Sequence, residues 1–95
     1  MSKYINPVIE SFLKGENKKI ANTESKDDKL YLFDNVIAKF KDSKLYITTS
    51  SWNTLTTRDR LNKLPNVSVK VSKGILYIKE NDNWNKWDGS WKKID

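Results

Sequence analysis

The chain contains neither cysteine nor histidine. Without cysteine there is no disulfide, no thiolate nucleophile and no iron–sulfur ligation. Without histidine the commonest general base near neutral pH and the commonest zinc ligand are missing. Both absences point away from an enzyme, and no cofactor or metal is expected. Glycine and proline are scarce, three and two residues in 95, and they form neither a glycine-rich phosphate loop nor a flexible linker. Long hydrophobic runs are missing too. The longest, at residues 30–33 and 75–78, are four residues each, against the ~20 that a membrane-spanning helix needs. The opening stretch "MSKYINPVIESFLKG" is interrupted at Asn6, Pro7, Glu10 and Ser11 and carries no leader pattern, so a cytoplasmic location without membrane attachment is expected.

What is present suits one small folded domain spanning residues 1–95. At 37% apolar and 32% charged residues, the chain is too hydrophobic for disorder. Its net charge of +6 and pI near 9.5 favour a polyanionic partner, because clustered cations gain affinity by releasing counterions from phosphates. The same excess of lysine also serves solubility alone.

Hydrophobic spacing predicts an α+β fold: an antiparallel sheet of about six to eight short strands, a short N-terminal helix and a two-turn central helix. Residues 1–17 form the N-terminal helix and linker, with Ile5, Val8, Ile9, Phe12 and Leu13 at helical spacing, Asn6 as cap, Pro7 in the first turn and Gly15 past the end. "KIANTES" is a weak strand candidate. "KLYLFDNVIAKFKDSKLYITTS" reads as three strands with turns at Asp34-Asn35 and Asp42-Ser43. Parity then puts Tyr31, Phe33, Val36, Ala38, Phe40, Leu45 and Ile47 on the core face, and Leu30, Leu32, Ile37, Lys39, Tyr46 and Thr48 on the reverse. "NVSVKVSKGILYIKEN" gives a second hairpin turning at Lys73-Gly74, with Val69, Val71, Leu76 and Ile78 inward. Asp88-Gly89 predicts a last hairpin that carries Trp84, Trp87 and Trp91.

Of 18 basic residues only Arg58 and Arg60 are arginine. A guanidinium grips carboxylate or phosphate with a planar fork, whereas an ammonium is a hydrated point charge. In "NTLTTRDRLN", Thr56 is the expected N-cap with Asp59 completing a capping box, and Pro65 ends a helix over residues 57–64. Leu61, Leu64 and Thr57 point to the core, Asp59 and Lys63 pair on the solvent side, and the arginines flank the buried stripe. The helix start then makes a candidate phosphate site composed of Trp52, Thr54, Thr56, Thr57, Arg58, Arg60 and Asn62, suited to a nucleotide or nucleic acid. The structural alternative has Thr56 capping, Trp52 filling the core and both arginines paired with acids such as Asp34 or Asp88.

A second basic and aromatic surface comes from Lys39 and Tyr46 on one hairpin and from Lys70, Tyr77 and Lys79 on another. Bases stack on tyrosine while lysines follow phosphates; the plain alternative is a solvated strand face. A tryptophan left exposed would mark a protein contact. Residues 80–83, "ENDN", lack the ligand count and glycine spacing of a calcium loop.

The stretches "ANTES", "LYLFDNVIAKF", "LYITTSSWNTLTTRDRLNKL", "VSVKVSKGILYI" and "WDGSWKKI" resemble a family of short, mostly uncharacterised proteins encoded by bacteriophages and prophages. The resemblance runs over residues 20–94. Its most recognisable block, a Trp followed by Thr-Thr-x-x-Arg-Leu-Asn, falls on Trp52, Thr56, Thr57, Arg60, Leu61 and Asn62. The resemblance implies a phage protein acting in an infected bacterial cell, and leaves two functions open. One is binding of nucleic acid or a nucleotide signal. The other is inhibition of a host or antiviral-defence protein.

Overall fold

The computed structural model describes residues 5–50 and 54–94. Helix α1 (Asn6–Lys14) follows Ile5, and Asn6 is its first residue, so no side chain caps it. Pro7 sits in the first turn, where its missing N–H costs nothing. Gly15 ends the helix in the left-handed region (φ 76°), and the N–H groups of Gly15 and Glu16 donate back to the carbonyls of Phe12 and Ser11 (3.2 and 2.8 Å).

Nine strands follow: β1 (Lys18–Ile20), β2 (Thr23–Lys26), β3 (Lys29–Leu32), β4 (Asn35–Lys41), β5 (Lys44–Ile47), then helix α2 (Leu55–Leu61), β6 (Val69–Ser72), β7 (Ile75–Glu80), β8 (Asn83–Lys86) and β9 (Lys92–Lys93). They form two antiparallel sheets, one of six strands in the order β1-β2-β3-β4-β5-β9 and one of three in the order β6-β7-β8. The fold is α+β. Helix α1 lies against β1, β2 and β3, while α2 reaches both β4 and β6. One core fills the space between them, with Phe12 against Phe40 at 4.9 Å between ring centroids and Trp87 packed on the rim.

Tight turns with both central residues in the left-handed region join most neighbours: Asp27-Asp28, Phe33-Asp34, Asp42-Ser43, Lys73-Gly74 and Asn81-Asp82. That conformation matches the twist of paired strands, which is why two-residue hairpins use it. The β3–β4 turn is Phe33-Asp34, one residue earlier than the expected Asp34-Asn35. The shift buries Leu30 and Leu32 and places Tyr31 outward, opposite to the sequence expectation. Burying two leucines is worth about 3–6 kcal/mol, against about 1–2 kcal/mol for holding Phe33 left-handed, so packing overrides turn preference.

Strand β4 then carries a bulge. Tyr31 pairs with Val36 but Leu30 pairs with Ala38, leaving Ile37 as the extra residue, and Ile37 and Ala38 are both buried. From Ala38 to Ile47 the faces follow expectation, with Ala38 opposing Ile47 and Phe40 opposing Leu45 on the core side, while Thr48, expected on the reverse face, is buried against Gly89. The expected hairpin at Asp88-Gly89 does not form. Strand β8 stays in the small sheet and β9 crosses to the edge of the large one. Gly89 (φ 84°) makes the crossing possible: its carbonyl accepts from Thr48 Oγ1 (2.6 Å) and Thr49 N (2.9 Å), and a Cβ there would lie 2.2 Å from Thr49 Oγ1.

Two substitutions with opposite effects check this geometry by urea denaturation. Gly89→Ala is expected to lower stability by about 1–3 kcal/mol through strain and overlap. Ser43→Gly, at a left-handed turn position, is expected to raise it by about 0.5–1 kcal/mol. The reverse order would contradict the assigned backbone.

Candidate functional site

The arginine-bearing helix starts two residues earlier than its sequence suggests. Thr54, not Thr56, is the N-cap: its hydroxyl accepts from Thr57 N at 3.2 Å and lies 3.0 Å from the Thr57 hydroxyl. Helix α2 therefore spans Leu55–Leu61 in place of residues 57–64, and Lys63 and Leu64 continue as hydrogen-bonded turns. Thr57, Leu61 and Leu64 are buried as expected.

Arg60 is turned inward and only 2% exposed. Its Nε donates to Thr23 Oγ1 (2.9 Å), one terminal nitrogen donates to the Asp59 carboxylate, and the other donates to Asn22 Oδ1 (3.2 Å). Thr23 Oγ1 in turn donates to Asn22 Oδ1 (2.8 Å), closing a ring of hydrogen bonds between α2 and the β1–β2 turn. Asp59 is thus Arg60's partner and neither completes a capping box nor pairs with Lys63. Asp88, an expected arginine partner, instead accepts from the Ser90 hydroxyl and backbone N–H (2.6 and 2.9 Å), which holds its carboxyl below the usual carboxylate pKa.

Asn62 is committed in the same way: its amide donates to Val69 O (3.1 Å) and accepts from Val69 N (2.7 Å), acting as a strand partner for β6. Thr56 and Arg58 are half-buried on the flank of α2, and Trp52 lies outside the described residues. Of these residues the structure brings Thr54 and Thr57 into contact, whereas Arg60 reaches the β1–β2 turn and Asn62 reaches β6, so their polar atoms are taken up by separate elements.

The lysine and aromatic positions are arranged differently. On the outer face of the large sheet, cross-strand register aligns Lys26 with Lys29, Lys29 with Lys39, Lys39 with Tyr46 and Tyr46 with Lys93. This row crosses five strands, about 19 Å at the usual strand spacing. No ion pair holds any of its lysines among the described residues. Trp91, missed as a partner by sequence reasoning, presents its ring 4.3 Å from Lys39 Nζ, with Tyr46 at 5.9 Å. The small sheet repeats the scheme: Lys70, Tyr77 and Lys86 form one row, Lys79 opposes Trp84, and Lys70 Nζ stands 4.3 Å from the Trp84 ring. Strand alternation revealed Lys39, Tyr46, Lys70, Tyr77 and Lys79; Lys26, Lys29, Lys86 and Lys93 join them only through the observed register, and the tryptophan contacts depend on how the tail crosses between sheets.

Among the described residues no three metal-ligating side chains cluster, and no helix is long and apolar enough to cross a membrane. Residues 81 and 82 of the "ENDN" stretch form the β7–β8 turn.

Replacing Arg60 by lysine keeps the charge, but a single ammonium lacks the fork that reaches Thr23, Asp59 and Asn22 together. The expected result is a loss of about 1–3 kcal/mol in denaturant unfolding. Unchanged stability would show that the fork does not fasten α2.

Over residues 1–93 the chain matches the family described as Kyanoviridae Gp96 protein. The match takes in α1, which lies outside the 20–94 span of the sequence resemblance. No curated protein and no solved structure matches the chain. With nearly the whole length covered by that match, the chain belongs to the Kyanoviridae Gp96 family of bacteriophage proteins.

Proposed function

We propose that this phage protein is a non-catalytic binder of nucleic acid, acting in the infected cell through the outer face of its large sheet. The observation that carries the proposal is the row Lys26, Lys29, Lys39, Tyr46 and Lys93, aligned across five strands without an ion pair among the described residues. Lysines directly opposite one another disfavour a sheet. At ~5 Å in water, two unit charges repel by about 0.8 kcal/mol. A polyphosphate laid along the row turns that repulsion into attraction and gains the entropy of released counterions. Glu24 lies on the same face in a neighbouring row, between Lys19 and Tyr31, and Asp27 and Asp28 form the turn between Lys26 and Lys29.

The sheet carries this reading better than the start of α2. A ligand at that helix would have to break the Arg60 bonds to Asn22, Thr23 and Asp59 before reaching the guanidinium. Lysine also fits the task on the sheet, since a run of phosphates needs mobile point charges more than a fixed fork.

Binding of a fluorescent oligonucleotide, measured against salt, tests the proposal. With four lysines engaged on a single strand, log K is expected to fall with log salt at a slope of about −3. The double variant Lys29→Gln/Lys39→Gln should flatten that slope by about 1.4 and weaken binding at low salt, while its melting temperature holds or rises because the repulsion between this opposed pair is gone. No binding at low salt, or salt-tolerant capture of one host protein in its place, would overturn the reading and favour a protein inhibitor.

A further inference from the structure

We propose that the nucleic acid is single-stranded and runs from the large sheet onto a second stacking platform on the small sheet, through the groove between β9 and β7. The inference rests on the preceding reading of the large-sheet face. Two tryptophans at the surface motivate it: Trp84 is 39% and Trp91 44% exposed, one beside each lysine row. Each ring has a lysine ammonium at 4.3 Å from its centre. A flat indole with a cation at its face accommodates an unpaired base, the lysine swinging aside to the adjoining phosphate. Bases inside a duplex have no free face to offer, so this arrangement selects single strands.

The two platforms meet. A groove of about 630 Å³ is lined by Lys79 from the small-sheet outer face and by Lys93 from the large-sheet row, with Lys92, Ser68, Glu80 and Asp82 among its walls. Lys92 Nζ bonds Glu80 at 2.9 Å and ties the sheets together there, so this acid is already neutralised. Lys79 and Lys93 remain without ion pairs among the described residues and mark the path of the backbone. Beyond the groove, Trp84, Lys70, Tyr77 and Lys86 continue it across the three strands of the small sheet. A strand long enough to touch both platforms binds the second at high effective concentration, so affinity must rise with length beyond what added charge gives.

Fluorescence anisotropy with oligothymidylates of about 4 to about 16 nucleotides tests this. The expected gain from short to long oligomers is at least about tenfold. In Lys70→Gln/Trp84→Ala it should fall below about threefold, since one platform then binds alone. Should that variant fail to fold, Lys70→Gln/Lys86→Gln on the same face is expected to shrink the gain as well. A full gain in the folded variants, or equal competition by a duplex of the same length, would overturn the two-platform path while leaving the large-sheet site intact. Absence of binding at every length would overturn the underlying function, and the path with it.

Discussion

One extra residue in β4 decides which side chains this protein hides and which it displays. The Phe33-Asp34 turn pairs Leu32 with Asn35 and Tyr31 with Val36. Continued without interruption, that register would set Ala38 outward and drive Lys39 into the core. The bulge at Ile37 resets it, so that Leu30 opposes Ala38 and Lys29 opposes Lys39. Strand β5 takes its register from β4, and β9 takes its own from β5. The lysine row and the packing of Phe40, Leu45 and Ile47 therefore share a single cause. Bulges often re-aim side chains next to functional surfaces, and this one aims a sheet face.

The two kinds of cation are divided by place. Arg60 works inside, where acceptors from two elements lie at fixed directions and only a planar fork serves them together. Lysines occupy the outer faces, where reach and mobility matter more than geometry. The rarity of arginine is thus explained, for Arg60, by the needs of tertiary structure: the residue locks α2 onto the β1–β2 turn. Asn62 does the same for β6. These contacts hold the two sheets and α2 around one core, which is what keeps the lysine faces in position.

Much of the fold could be read from the sequence. The spacing of Ile5, Val8, Ile9 and Phe12 before Gly15 gave α1, and the Asp42-Ser43 and Lys73-Gly74 pairs gave two hairpins; Val69, Leu76 and Ile78 are buried as read, whereas Val71, expected inward, is exposed near the hairpin tip. What escaped had weak local signals. Phenylalanine has no preference for a left-handed turn, so the shift to Phe33-Asp34 follows from burial of Leu30 and Leu32. A bulge leaves no mark in an alternating pattern. Thr54 and Thr56 are equally good caps by type, and the choice falls to the Thr54–Thr57 hydroxyl contact. Asp88-Gly89 resembles a hairpin turn, but Gly89 is instead held by Thr48 and Thr49, far away in the chain. Among the candidate site residues, alternation placed Lys39, Tyr46, Lys70, Tyr77 and Lys79 together with their cross-strand neighbours. The inward turn of Arg60 depends on Asn22 and Thr23, which no local pattern links to it.

The nucleic-acid-binding face proposed for the large sheet depends on the bulge in β4. Backbone amide and indole NMR signals followed during titration with an oligothymidylate test it most directly. Shifts concentrated at Lys29, Lys39, Tyr46, Lys93 and the Trp91 indole, with Thr54 and Arg60 undisturbed, are the predicted result. Shifts centred on residues 54–58, with the outer face of the sheet silent, would contradict it.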